Sequence, residues 1–455
     1  MTNEKQNKPH VIVFAFPFGS HPTPMLQLMQ HLAASAPAVD FSFFNTADSN
    51  RKFLAGADLD KSGNVKTYDI ADGAPEGHVF SGNPLERVEL FLRVTPGNFR
   101  RRLEEVVAER GSSATCLLTD AFLSFSADVA KDLGIPWVAF WTAGTAALSM
   151  HLHTDLIRHK FGGNVEERRT LDFIPCLSAI HASDLPPEIL INPDKAFSRL
   201  LHAMSLVLPN SATAVVLNSF DGVDPDVERH LIPNLRKLLQ IGPFPLLLPT
   251  HPPLNSTDDD DDCLAWLARQ APASVAYISF GTMLTPPPPE LLSLAEALEE
   301  RRLPYLWSFR DDSKREVVEG FFERTTGSTG KVVRWAPQRE VLGHPSVGAF
   351  VTHCGWNSVV EAVSGGVPMV CRPFFGDQMI NRRRVEEVWG IGVGVEGGVF
   401  TRAGTLRALE AVVSGEVMRE NIGRLKEKGV RAVAEGGTSA EDFKSLVEII
   451  TASSP

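Results

Sequence analysis

Residues 335–378 read WAPQREVLGHPSVGAFVTHCGWNSVVEAVSGGVPMVCRPFFGDQ. Two short apolar runs, Ala349–Thr352 and Met369–Cys371, each end at polar, glycine- or proline-containing breaks. Such runs read as buried strands of a parallel sheet. After the first, His353-Cys354-Gly355-Trp356-Asn357-Ser358 opens a helical stretch. Strand, glycine turn and helix in that order make one unit of an α/β sheet. A helix start offers free N–H groups and the positive end of its dipole, so this turn attracts anions. Each such interaction is worth about 0.3–2 kcal/mol, so several must converge to hold a diphosphate. Gly355 permits close backbone approach, and His353, Asn357 and Ser358 can donate further bonds. Ser358-x-x-Glu361 is also a capping box. That accounts for Ser358 and Glu361, not for His353, Trp356 and Asn357 together. Asp377-Gln378, past the second run, sets an acid beside an amide, a pair able to bond adjacent sugar hydroxyls.

The same grammar extends outward. His10–Phe16 is an apolar run of β-formers, followed by a Pro/Gly/Ser loop and then Met25, Leu28, Met29 and Leu32 at helical spacing. Val39–Phe44, Thr115–Thr119 and Trp137–Phe140 read as further strands, with Ala127–Leu133 as a helix. Between residues 244 and 262 prolines, Asn255-Ser256-Thr257 and the run Asp258–Asp262 predict an exposed linker. Beyond it the pattern restarts: strands at Ser274–Phe280, Tyr305–Phe309, Val332–Trp335 and Val393–Val395, and a helix at Pro289–Arg301. The expected architecture is α/β, with two parallel-sheet halves in tandem.

Composition narrows the function. The chain has 455 residues, 43% hydrophobic and 22% charged, which is ordinary globular usage for two or three domains. A net charge of −11 argues against nucleic acid and anionic membranes as partners. It also means that an anionic ligand must be held by local dipoles and a few donors. The five cysteines (116, 176, 263, 354, 371) are widely spaced with no CxxC, so neither a disulfide framework nor a zinc site is expected. A polar N-terminus and no apolar run of about 18 residues predict a reduced, cytoplasmic protein, in which the Asn255 glycosylation pattern is chance. Nothing points to an assembly surface, so a monomer is expected.

His21 lies in the loop after the first strand, and Asp120 stands just past the strand Thr115–Thr119. Ligands of open α/β sheets sit beyond the carboxyl ends of strands. If the two strands are neighbours, the carboxylate can fix the imidazole's tautomer. Three other patterns carry less. Gly392-x-Gly394-x-x-Gly397 fits a dinucleotide fingerprint but follows the helical stretch Val385–Trp389 and opens no helix. The Asp258–Asp262 run has no strand to present it to a metal. His151-x-His153 lacks a third ligand.

The 335–378 segment resembles the 44-residue signature of plant secondary-product UDP-glycosyltransferases, and has that length. FPFGSH at 16–21, TDAF at 119–122, WTAG at 141–144 and SFGT at 279–282 extend the resemblance over the whole chain. YDIADGAPEGH at 68–78, CRPFFGDQ at 371–378 and EGGVFT at 396–401 are similar to the flavonoid 3-O-glucosyltransferases. The resemblance implies a GT-B fold, two Rossmann-like domains facing across a cleft. Its implied boundaries are 1–245 for the acceptor domain, 246–262 for a linker, 263–435 for the UDP-sugar domain and 436–455 for a helix returning to the first domain.

It also implies roles. Trp335 would stack on uracil and the Ala336 backbone would bond its edge. Gln338 and Glu361 would bond the ribose. His353, Asn357, Ser358, Ser279 and Thr282 would serve the diphosphate side. Thr142, Trp356, Asp377 and Gln378 would contact the sugar. His21 would be the general base with Asp120 its partner. Phe16, Ser20, His21, Leu85, Phe122, His151, Phe375 and Gly376 would line the acceptor site. The UDP-sugar would be a co-substrate, with no metal and no other cofactor. A final Gln favours glucose in this family. Leu85 and Pro186-Pro187-Glu188 depart from the pattern and leave the flavonoid, its hydroxyl and O- versus C-linkage open. The competing readings are another phenolic or terpenoid acceptor, an inactive nucleotide-sugar binder, which retention of His21 and Asp120 disfavours, and a nicotinamide-dependent oxidoreductase.

Overall fold

The computed structural model describes residues 8–54, 63–81, 83–162, 169–190, 195–247 and 258–452. The first half carries strands β1 (His10–Phe14), β2 (Asp40–Thr46), β3 (Val65–Ile70), β4 (Cys116–Asp120), β5 (Trp137–Trp141), β6 (Ala214–Leu217) and β7 (Leu238–Gln240). They form one parallel sheet in the order β3-β2-β1-β4-β5-β6-β7. The second half carries β8 (Val275–Ser279), β9 (Tyr305–Ser308), β10 (Gly330–Val333), β11 (Val347–Thr352), β12 (Met369–Cys371) and β13 (Gly392–Gly394). Their sheet, also parallel, runs β10-β9-β8-β11-β12-β13. The central strands β1, β4, β5, β8 and β11 are buried along their whole length. That is why they read as continuous apolar runs rather than alternating ones.

Both sheets reverse their winding once, between β1 and β4 in the first and between β8 and β11 in the second. A crevice opens outside the carboxyl ends of the strands at such a reversal. The residues that leave those four strand ends are the ones that matter below.

The sequence reading misses β3, β6 and β7. β3 is an edge strand in which Lys66, Thr67 and Asp69 are exposed and only Tyr68 and Ile70 are buried, and the other two are only four and three residues long. The reading also carries the linker too far. Asn255-Ser256-Thr257 lies outside the described residues, but from Asp258 the chain is helical through Leu267. The acid run is therefore the start of that helix. Gly392 and Gly394 belong to edge strand β13, and the next α-helix begins only at Arg402. The glycine fingerprint is therefore strand and turn. All five cysteines are free thiols.

Several contacts join the halves. The Trp356 indole lies against Gly144, where a β-carbon would come within 2.7 Å of the ring, and donates to the Asn218 carbonyl at 2.9 Å. Ile380, fully buried, packs in the first half's hydrophobic core. Arg384 forms a buried ion pair with Asp224, whose carboxylate also accepts from Trp389 at 3.1 Å and Thr145 at 3.2 Å. The helix Thr438–Thr451 buries Leu446 and Ile450 in the first half's core, and Asp442 accepts from the Gln240 amide at 2.7 Å. Arg384→Ala leaves the Asp224 carboxylate buried without its cation. The expected loss, read from the chemical-denaturation midpoint, is about 3–5 kcal/mol; a loss below about 1 kcal/mol contradicts this reading of the pair.

Candidate active site

β1 and β4 are direct neighbours, with Phe14 opposite Thr119. The chain leaves β1 through Phe16-Pro17-Phe18-Gly19-Ser20 and turns so that His21 stands at the head of the helix Pro22–Ser35. β4 ends at Asp120. The two side chains meet: His21 Nδ1 is 2.7 Å from Asp120 Oδ2. Asp120 is 1% exposed, and its other oxygen accepts from the Phe122 amide at 2.9 Å. Thr142 Oγ1, just past β5, is 3.1 Å from the same imidazole nitrogen. A carboxylate can only accept, so the proton resides on Nδ1 and Nε2 is left with a free lone pair. The rings of Phe16 and Phe122 flank the imidazole at 5.2 and 4.6 Å. The result is an imidazole of fixed tautomer in an aromatic setting.

Across the cleft, β8 ends at Ser279 and β11 leads to His353. A β-carbon at Gly281 would sit 3.0 Å from the His353 ring, and one at Gly355 2.5 Å from its Nε2. Both glycines are therefore needed for the ring to lie between two backbone turns. Burial pushes the His353 pKa down to about 4, so it is a neutral donor at physiological pH. Its Nδ1 has no hydrogen-bond partner. The helix Trp356–Gly365 starts beside it with Gly355 as N-cap, bringing Asn357 and Ser358 into its first turn. The Trp356 indole is committed to the contact with Asn218, so at this helix start Trp356 offers its backbone N–H. Thr282 is exposed beyond the Gly281 turn.

Gln338, Ser358 and Glu361 form one cluster. Gln338 Nε2 is 3.3 Å from Ser358 Oγ and 2.5 Å from Glu361 Oε2, and Tyr277 donates to Gln338 Oε1 at 3.1 Å. Burial raises the Glu361 pKa to about 7, against the pull of the Gln338 bond. Trp335 is 43% exposed beyond β10, and Ala336 beside it is buried. The Arg310 guanidinium lies 3.6 Å from the Trp335 ring centroid, covering one face of the indole. The Gln378 side chain accepts from the amides of Phe374 and Phe375, locking the turn before it. Burial raises the Asp377 pKa, while Asn381 and, across the cleft, His21 act to lower it. The acid of the acid–amide pair thus lies within electrostatic reach of the base.

Around His21 the wall is aromatic. Phe122 meets Trp141 at 6.0 Å and Phe197 at 5.8 Å. His151 is buried beside Trp141, its Nδ1 is without a partner, and burial pushes its pKa down to about 4. Leu85 lines a hollow with Glu89, Pro187, Glu188, Lys195, Phe197 and Ser198. Phe375 is 46% exposed; Gly376 follows it in a left-handed turn, and Ser20 is exposed next to His21. His153 turns from His151 toward His230, with Nε2 atoms 3.4 Å apart. Among the described residues no group of three or more His, Cys, Asp or Glu could hold a metal ion. The sequence reading does not find Arg310, Asn218 or Phe197. Only the apolar character of Phe197 marks it in sequence, and nothing marks the other two.

Two parallel-sheet domains that meet at the carboxyl edges of their sheets, with an imidazole–carboxylate pair on one side and a glycine turn opening a helix on the other, have the GT-B architecture. The family described as UDP-glucoronosyl and UDP-glucosyl transferase matches residues 93–428. The chain belongs to that family and is a UDP-dependent glycosyltransferase. It is 48% identical over 448 residues to a flavonol 3-O-glucosyltransferase of Actinidia chinensis var. chinensis, covering 97% of this chain and 96% of the relative. It is 47% identical to an anthocyanidin 3-O-galactosyltransferase of the same plant, covering 97% of each. The crystal structure of a UDP-glucose: anthocyanidin 3-O-glucosyltransferase in complex with UDP superposes with a TM-score of 0.90. That protein is 43% identical, with 98% of this chain and 99% of that one covered. No helix among the described residues is long and apolar enough to cross a membrane.

Glu361 supplies a test of the nucleotide side. UDP-glucose has no group titrating near neutrality, and hydroxyls of a bound ligand donate more strongly to the carboxylate than to the neutral acid. Affinity for UDP-glucose is therefore expected to rise about tenfold from pH 6 to pH 8 as Glu361 ionises. Glu361→Gln should flatten that slope in calorimetric titrations. A slope that survives the substitution contradicts the assignment.

Proposed function

We propose that the protein transfers glucose from UDP-glucose to a phenolic hydroxyl of a flavonoid, the 3-hydroxyl of a flavonol or anthocyanidin, with inversion at the anomeric carbon. The observation that carries this reading is the His21–Asp120 contact, set in an aromatic wall and facing Asp377 of the acid–amide pair. An aromatic lining suits a flat polyphenol. The relatives whose names specify flavonols and anthocyanidins as acceptors share nearly half their residues with this chain over almost its whole length.

The chemistry is a single displacement. The acceptor hydroxyl gives its proton to His21 Nε2 as its oxygen attacks the anomeric carbon. The bond from that carbon to the diphosphate breaks on the opposite face, and the electron pair leaves with UDP. An α-linked donor then gives a β-glucoside. Asp120 holds the imidazole and stabilises the imidazolium. Charge gathering on the departing diphosphate meets His353, Asn357, Ser358, Thr282 and the start of the Trp356–Gly365 helix. Trp335 holds uracil on the indole face that Arg310 leaves open, Ala336 bonds its edge, and Gln338 and Glu361 take the ribose. Asp377, Gln378 and Thr142 orient the glucose. Phe16, Phe122, His151 and Leu85 hold the acceptor. Similarity to a galactosyltransferase leaves the sugar to be read from the site, and Gln378 is the basis for glucose.

One assay tests the reading: a panel of flavonols, anthocyanidins, simple phenols and terpenoid alcohols, each with UDP-glucose and with UDP-galactose, products located by NMR. The expected outcome is a flavonoid 3-O-glucoside as the fastest product, with His21→Ala slower by about 10²–10⁴-fold. Faster galactosyl transfer, C-linkage, a preferred non-flavonoid acceptor, or a His21→Ala variant within a few-fold of the parent each contradicts the corresponding part.

A further inference from the structure

The helix Gln378–Arg383 is short, but each end is fastened to a different functional region. At its head are Asp377 and Gln378. Asn381, one turn on, bonds Asp377 at 2.8 Å and the Cys354 carbonyl at 3.0 Å, tying the helix to the anion-binding turn. At its tail, Arg382 and Arg383 reach across the domain boundary to one carboxylate, Asp184. Arg383 Nε lies 2.6 Å from Asp184 Oδ2 and Arg382 Nη2 lies 3.4 Å from Oδ1. Glu386 and Glu387, one turn beyond, brace the two guanidiniums.

Asp184 is 4% exposed and closes the turn Ala182–Asp184 by accepting from the His181 amide at 2.9 Å. The chain then runs through buried Leu185 and Pro186 into the short helix Pro187–Leu190, where Pro187 and Glu188 line the hollow beside Leu85 and Phe197. The far end of that helix is held by Arg158, which donates to the Ile189 carbonyl at 2.7 Å. The wall segment is thus pinned on one side by its own domain and on the other by the sugar-binding helix of the opposite domain.

We propose that Asp184, gripped by Arg382 and Arg383, is a positioning residue that sets the acceptor-pocket wall against the sugar-binding turn. It touches neither substrate. Its carboxylate makes the placement of Pro187 and Glu188 depend on the placement of Asp377 and Gln378, so the acceptor site is completed by the domain that carries the donor. The proposal rests on the acceptor-side reading of that hollow. Its test therefore uses whichever phenol the parent enzyme turns over, so that a wrong flavonoid assignment leaves the test intact.

Asp184→Asn keeps one oxygen for the His181 amide and replaces the other, together with the charge, by an amide N–H₂ that cannot accept from a guanidinium. It is expected to raise the acceptor KM about tenfold, with UDP affinity by calorimetry unchanged within twofold. Arg383→Gln should do the same, the double variant should be no worse than either single one, and Arg383→Lys should recover most of the acceptor KM. A purely structural role predicts a lower melting temperature with both KM values intact, and that outcome overturns the proposal. So do additive losses in the double variant, or a parallel loss of UDP affinity. If Asp184→Asn fails to fold, the contrast between Arg383→Gln and Arg383→Lys decides alone.

Discussion

The site is split between two sheets, and the contact that keeps its halves in register is the buried pair Arg384–Asp224. The arginine follows the helix Gln378–Arg383; the aspartate belongs to the first half. Neither charge sees water, and the carboxylate is shared with Trp389 and Thr145. A buried ion pair is weak as a source of stability, because desolvation cancels much of its attraction. Its fixed geometry, with several donors meeting one carboxylate, specifies how two surfaces meet. Trp356 against Gly144 and Asn218, and Ile380 in the core of the first half, add the apolar part of the same junction. This junction places the two crevices mouth to mouth.

The junction also explains how an acidic protein manages an anionic substrate. With a net charge of −11 the overall field is repulsive. In the proposed mechanism the donor side answers with groups that carry little charge when empty: a neutral His353, amide N–H groups at a helix start, hydroxyls of Ser358 and Thr282. Their value lies in orientation and exclusion of water, which strengthen each bond relative to solution. Arg310 is the exception, and it is spent on the face of Trp335. On the opposite wall an imidazole with its Nδ1 proton anchored on Asp120 has Nε2 free to accept.

Much of this is written locally in the chain. The fully buried parallel strands are legible because both their faces are covered, which makes them continuous apolar runs. The donor segment is legible because it is contiguous: strand, glycine turn, helix and acid–amide pair follow each other within 44 residues. The His21–Asp120 pair is half legible. Each residue follows a strand, but their contact depends on β1 lying beside β4, which spacing alone does not show. The edge strand β3 and the short β6 and β7 escape because alternation and brevity weaken the signal. The junction is invisible in the sequence. Asn218, Asp224 and Asp184 are polar residues with no local motif, and only the fold sets them against Trp356, Arg384 and Arg383. The run Asp258–Asp262 misleads for the opposite reason: a strong local charge signal reads as linker, while the chain there is already helical.

In the proposed mechanism Asp120 fixes the proton of His21 on Nδ1 and leaves Nε2 to receive the acceptor's proton. Nitrogen-15 NMR of histidine-labelled enzyme, with His21 assigned by comparison with His21→Asn, reads that tautomer directly. The account predicts a protonated, hydrogen-bonded Nδ1 and a bare Nε2 at neutral pH, and loss of this single-tautomer signature in Asp120→Ala. A His21 ring that carries its proton on Nε2 in the parent enzyme would contradict it.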